Sequence, residues 1–304
     1  MLRHRDTAGG LFCLSAFYKA LPRYNREETL TDPQQPRADL FACTLPGLLV
    51  TTDWLAEYLH ASDLRVVDVR PANDFAEGHI PGAVQIDLAA LSTTIDGVQG
   101  MLIGPEAFSA IMGELGIDED KAVVIYDSNW GMPAARVLWT LAYYGHTNAA
   151  VLNGGWDRWQ EEQRPISQTI QPPTPTRFTP RPTSSHLAEL SWIQSHLDDP
   201  NVVLVDTRSK NEYDAGHLPN AIAWDWMNGV PVGSWDTVRS SDELTAELAA
   251  LGITPDKEIV TYCRSGARAA HTHLLLRHLG YPRVRNYDGS WLEWSARVLG
   301  VMHP

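Results

Sequence analysis

Cys263-Arg264-Ser265-Gly266-Ala267-Arg268 brings one thiol and two guanidinium groups into six consecutive residues. Sulfur is a nucleophile as the thiolate, and a cationic setting favours that form. Arginine offers a planar fork of N–H donors that suits the oxygens of an anion. The segment therefore reads as an anion cradle with a nucleophile at its base, which is the equipment of covalent group transfer. As a small buried hydrophobe, Cys263 would leave the two arginines unexplained.

The flanking elements would position this loop. Ile259 to Tyr262 is a short β-branched and aromatic run, the pattern of a buried strand. From Ala269 onward, Ala270, Leu274, Leu275 and Leu279 recur at helical spacing until Gly280 stops the helix. A strand-to-helix loop turns successive backbone N–H groups inward, and the helix adds its positive end. His271 and His273, on that helix, read as surface or packing residues.

The rest of the chain limits the partners. With 304 residues and 44% hydrophobic content, two domains of ordinary size are expected. A net charge of -13 argues against a nucleic-acid surface, so an anionic substrate has to be captured by local cations. No apolar run approaches membrane-spanning length. Cys13, Cys43 and Cys263 are too few and too scattered for a disulfide framework or a metal site. A cytoplasmic protein working without metal or cofactor is expected. Leu11 to Phe17 faintly suggests a secretory signal, but Lys19 follows and no small-residue cleavage site is evident. Residues 1–44 lack steady periodicity and Asp32 to Pro36 reads as disordered. They are expected to form a poorly ordered extension, or the true start lies further downstream.

The strongest organisational signal is an internal repeat. Val66-Val-Asp68-Val-Arg70, followed by Gly78-His79-Ile-Pro81-Gly-Ala83, returns as Val203-Leu-Val-Asp206-Thr-Arg208 and Gly216-His217-Leu-Pro219-Asn-Ala221. Asp68 and Asp206 are 138 positions apart, as are His79 and His217. Leu152-Asn-Gly-Gly-Trp156 with Trp159 likewise matches Tyr287-Asp-Gly-Ser-Trp291 with Trp294. Repetition on this scale means two copies of one fold. Within each, helices and buried strands alternate, which specifies an α/β sandwich with a mostly parallel central sheet. Ligands in such sheets sit at the carboxyl ends of strands, where the Cys263 loop would lie. Between the copies, six prolines from Pro165 to Pro182 mark an extended linker. Domains at 45–165 and 186–302, joined by a linker at 166–185, follow.

Taken together, the Asp-x-Arg…Gly-His-Ile-Pro-Gly-Ala turn, the cysteine loop after a buried strand, the Tyr-Asp-Gly-Ser-Trp segment and the duplication with one cysteine resemble a tandem-domain rhodanese. That family comprises the thiosulfate and 3-mercaptopyruvate sulfurtransferases, and the resemblance covers roughly residues 48 to 302. It implies an inactive N-terminal copy; Asp127 stands where Cys263 stands in the other, and no arginine follows until Arg136. The apolar faces of that copy, with Trp130, Trp139, Trp156 and Trp159, are expected to bury the flank of the catalytic domain.

The resemblance also implies a mechanism: a small anionic donor such as thiosulfate leaves its sulfane sulfur on Cys263, and a thiophilic acceptor such as cyanide removes it. Arg264, Ser265, Gly266, Ala267 and Arg268 would bind substrate. Asp206 and Arg208 would orient the loop or form a structural ion pair, and the turn at His217 reads as packing. Two departures stand out. Glu212 occupies a position where many two-domain members carry a substrate-binding arginine, and Ser265 stands where many thiosulfate enzymes have lysine.

Rival readings remain. A 3-mercaptopyruvate enzyme would carry small residues where Arg264 and Arg268 stand. Cysteine phosphatases have a loop one residue longer than the four residues between Cys263 and Arg268. A non-catalytic persulfide carrier or interaction module, in which Cys263 accepts a persulfide from a protein donor, would show the same thiol chemistry; a protein can also serve as the sulfur acceptor.

Overall fold

The computed structural model describes residues 43–300; the expectations for the N-terminal extension fall almost wholly outside them. The N-terminal copy runs β1 (Leu49–Val50), α1 (Thr52–Tyr58), β2 (Leu64–Asp68), α2 (Ala72–Glu77), β3 (Val84–Gln85), β4 (Ser92–Ile95), β5 (Val98–Leu102), α3 (Pro105–Glu114), β6 (Ala122–Tyr126), α4 (Met132–Tyr143), β7 (Ala149–Leu152) and α5 (Gly155–Glu161). The C-terminal copy runs β8 (Leu187–Ala188), α6 (Leu190–Ser195), β9 (Val202–Asp206), α7 (Lys210–Ala215), β10 (Ile222–Ala223), α8 (Ser241–Ala250), β11 (Glu258–Tyr262), α9 (Ala267–His278), β12 (Val284–Tyr287) and α10 (Ser290–Arg297).

Each copy builds a five-stranded parallel sheet, in the order β1-β7-β6-β2-β3 and, reversed, β8-β12-β11-β9-β10. The repeat seen in the sequence is thus a repeat of topology, strand for strand. Helices cover both faces, so the central strands must be apolar on both sides, and Ala122 to Tyr126 is buried throughout. Alternate residues then enter different cores. Val123 and Ile125 pack with Phe108 and Met112, whereas Val124 and Tyr126 pack with Leu55, Phe75 and Trp159. Among the described residues, no helix is long and apolar enough to cross a membrane.

Three features depart from the expectations. Leu274, on α9, joins the core of the N-terminal copy, where α4 and α9 lie against each other. Of the two readings of His271 and His273, packing holds and surface does not, since both are buried, and α9 starts at Ala267, inside the expected loop. Of the four tryptophans expected against the catalytic flank, Trp156 and Trp159 sit in the N-terminal copy's own core; Trp139 reaches across, its Nε1–H donating to the carbonyl of His186 at 2.8 Å. Finally, β4 and β5 form an antiparallel hairpin, turning at Asp96 and Gly97 with φ of 50° and 83°.

The proline-rich stretch is extended but tied down. Ser167 bridges to His79, the N–H of Arg181 donates to the carbonyl of Tyr144, and Phe178 packs edge-on against Phe108.

Candidate active site

Cys263 follows β11, a central strand of its sheet, and is 1% exposed. Gly266 closes the loop. Its φ of +83° is left-handed backbone that favours glycine, and it directs its own N–H to Cys263 Sγ at 3.1 Å. Asn286 Nδ2 holds the Gly266 carbonyl at 3.0 Å. At the other end, the Cys263 N–H donates to Ser290 Oγ at 3.1 Å, and the Trp291 and Leu292 N–H groups donate to the carbonyls of Cys263 and Arg264. The start of α10 thus grips the start of the loop, so the sulfur is fixed by backbone on both sides.

The structure gives the two loop arginines different settings. Arg264 is exposed, and among the described residues no ion pair holds it. Arg268 is locked edge-on to Glu212: Nη1 donates to Oε2 at 2.7 Å and Nη2 to Oε1 at 2.8 Å. These hydrogen bonds hold the Glu212 carboxyl down to about 2, against the opposing pull of its partial burial. They also raise the Arg268 guanidinium above its ordinary value, with the Cys263 sulfur adding to the effect. Ser265 and Ala267 are half-buried.

Asp206 and Arg208 form a buried pair, with Arg208 Nη2 2.6 Å from Asp206 Oδ2 and also donating to the Gly216 carbonyl at 2.6 Å. The guanidinium lies 4.6 Å from the centroid of Trp291, the residue whose N–H grips the Cys263 carbonyl. Arg70 repeats this with Asp68, Gly78 and Trp156, in the copy that has Asp127 at the loop position of Cys263. Between the two readings of Asp206 and Arg208, the repetition favours a framework pair that fixes the turn. His217 stacks on Tyr213 at 3.8 Å and contacts its carbonyl, as His79 does with Phe75.

In the N-terminal copy the corresponding cradle is filled by its own side chain. Asp127 Oδ1 accepts from the N–H groups of Asn129 and Gly131 at 2.7 and 3.0 Å, and Oδ2 from that of Ala134 at 2.8 Å. Burial outweighs these bonds and pushes its carboxyl upward.

Sequence reasoning missed the residues that cross between the copies. Gly100, on β5, lies so close over the active loop that a Cβ there would stand 2.8 Å from Ser265 Cβ. Arg136, on α4, reaches beneath the loop. It pairs with Asp288 at 2.5 Å while both are buried, and a Cβ on Gly266 would stand 2.6 Å from its Nη1. Asp288 also accepts the Leu102 N–H at 2.7 Å. The hairpin that carries Gly100 had a local signal, Ile95-Asp96-Gly97-Val98, because Asp-Gly between β-formers is a hairpin turn. Arg136 had none.

Comparison with known proteins agrees with this architecture. The Rhodanese-like domain matches residues 51–162 and 189–297. The chain is 37% identical over 279 residues to the sulfur carrier protein TtuD of Thermus thermophilus, covering 84% of this chain and 96% of that one. It is 34% identical to a thiosulfate sulfurtransferase of Pseudomonas aeruginosa, over 83% of this chain and 94% of that one. The crystal structure of a 3-mercaptopyruvate sulfotransferase from Escherichia coli superposes with a TM-score of 0.74 at 29% identity, covering 81% and 99% of the two chains.

Proposed function

Since the chain belongs to the tandem-domain rhodanese family and is a sulfurtransferase, we propose that it moves the sulfane sulfur of thiosulfate to a thiophilic acceptor such as cyanide, with Cys263 as the carrier. The observation behind this reading is a buried thiol at the base of a loop that aims the Gly266 N–H at Sγ and supplies Arg264 and Arg268 at its rim. The Cys263 thiolate attacks the outer sulfur; a new S–S bond forms as the bond to the sulfonate sulfur breaks, and sulfite departs with the electron pair. The acceptor then attacks the terminal sulfur and returns the thiolate. The loop N–H donors offset the charge on that terminal sulfur, and the arginines hold the sulfonate oxygens. Asp206 and Arg208 fix the turn at Gly216 and back Trp291, whose N–H holds the Cys263 carbonyl.

A second reading has support of its own. One relative is named a sulfur carrier protein, so the acceptor of the Cys263 persulfide would be a protein. We place the reaction in the cytoplasm, where a reducing medium keeps Cys263 as the thiol it has to be between cycles.

Intact-protein mass spectrometry after thiosulfate treatment tests the assignment. One added sulfur is expected on the parent and none on Cys263→Ser; a persulfide surviving in that variant would overturn it. Parallel kcat/KM values for thiosulfate and 3-mercaptopyruvate, with cyanide as acceptor, decide the donor.

A further inference from the structure

Among the described residues, Glu212 is the one carboxylate joined directly to a cation of the Cys263 loop. Both of its oxygens face Arg268, and Oε2 also accepts from the N–H and hydroxyl of Ser209, the N-cap of α7. Resting on the sulfurtransferase reading above, we propose that Glu212 is a specificity-determining residue that sets the charge of the donor the site accepts.

The charges around the sulfur support this. Arg208 is neutralised by Asp206, and Arg268 by Glu212. Arg264 is left as the uncompensated cation of the loop. A guanidinium has five N–H donors, and Glu212 takes two, so Arg268 still has donors for a substrate oxygen. What it lacks is net charge. The site therefore recognises oxygens by hydrogen bonding while offering only one unit of uncompensated positive charge. Glu212 thereby narrows the lead of dianionic thiosulfate over a monoanionic donor such as 3-mercaptopyruvate without reversing it. Thiosulfate, a dianion, binds against one surplus negative charge, and so would the inorganic dianion sulfate. With its carboxyl held down to about 2, Glu212 stays ionised at any ordinary assay pH, so the compensation is permanent.

The test is a ratio, which a general loss of activity does not move. Glu212→Gln removes the charge and keeps a side chain that serves the capping box of α7. In the full-length enzyme, kcat/KM for thiosulfate divided by that for 3-mercaptopyruvate is expected to rise about fivefold or more in Glu212→Gln. That is the order expected for one added unit of net charge near the site at intermediate dielectric. Inhibition by sulfate is expected to strengthen by a similar factor. Arg268→Gln, which leaves Glu212 uncompensated, should shift the same ratio the other way, and it carries the test if Glu212→Gln does not fold. An unchanged or lowered ratio in Glu212→Gln, whatever happens to the two rates, overturns the proposal, as does an unchanged ratio in Arg268→Gln. Failure of the underlying reading looks different: the parent itself would then turn over neither donor and acquire no sulfur on Cys263.

Discussion

Asp127 and Cys263 occupy equivalent loops, and the difference between an occupied and an available cradle comes down to one side chain. A carboxylate is large enough to accept three loop N–H groups at once, so the N-terminal cradle satisfies itself. In the C-terminal loop a single backbone N–H, that of Gly266, donates to the thiol sulfur. Asp127→Ala is expected to leave three buried donors without an acceptor and to cost roughly 3 kcal/mol or more in urea unfolding, while Asp127→Asn, which keeps one oxygen, costs less. Restoring the thiol does not restore the site. The double variant Asp127→Cys, Cys263→Ser is expected to show no thiosulfate:cyanide turnover, because no arginine follows Asp127 at the next five positions and Pro133 lacks an N–H. Turnover at a few per cent of the parent rate would show that the N-terminal loop is competent. Cys263, Arg264 and Arg268 were legible because loop chemistry is contiguous in sequence. The partner of Arg268 was not, since Glu212 lies 56 residues earlier. Its identity was noticed as a departure, but a position alone does not tell which cation a carboxylate faces.

Secondary structure was legible wherever one period dominated. The parallel strands are continuous apolar runs, as strands covered on both faces must be. α9 was harder to read, because a helix buried against its own sheet and also against α4 has no polar stripe. Its histidines thereby become stability elements. His271 Nε2 lies 3.0 Å from the Thr237 carbonyl, and burial pushes the imidazole down to about 4; burial likewise pushes His273 to about 3. The unfolded chain takes up these protons near pH 6.5, whereas the folded one resists until about pH 4 or below. Their contribution is therefore intact above pH 6.5 and is lost as the pH falls through that window, by roughly 3 kcal/mol for His271 alone. Melting temperature is expected to drop between pH 6.5 and 4, and the drop should be smaller in His271→Gln. A parent curve flat over that range would contradict the burial argument.

At the scale of the whole molecule the copies exchange residues. Five positions after the left-handed glycine of each loop, Gly131 or Gly266, stands a buried polar side chain: Arg136 pairs with Asp288 of the opposite copy, whereas His271 contacts the Thr237 carbonyl of its own. Thr237 approaches Gly131 so closely that a Cβ there would stand 2.5 Å from its Cγ2, much as Ser265 meets Gly100. Arg136→Met is expected to cost about 3–5 kcal/mol by leaving Asp288 buried without its cation. Combined with Asp288→Asn, the loss should be less than the sum of the two single losses, since both remove one pair. Strict additivity in a double-mutant cycle would show that the pair is not coupled. No sequence pattern announces a bond between positions 136 and 288, because it depends on how two complete sheets dock.

The hairpin carrying Gly100 and the guanidinium of Arg136 give the N-terminal half an inheritance problem. A duplicated domain without a cysteine at its loop would ordinarily be free to accumulate substitutions, yet here the copy that carries Cys263 uses parts of it as its own walls. Changes at Gly100, Gly131 or Arg136 would be felt in the copy that carries Cys263, although all three belong to the other copy, with Asp127 at its loop. A blind screen for impaired sulfur transfer should therefore return variants in both halves of the gene, and those in the N-terminal half should gather on the hairpin and the first turns of α4.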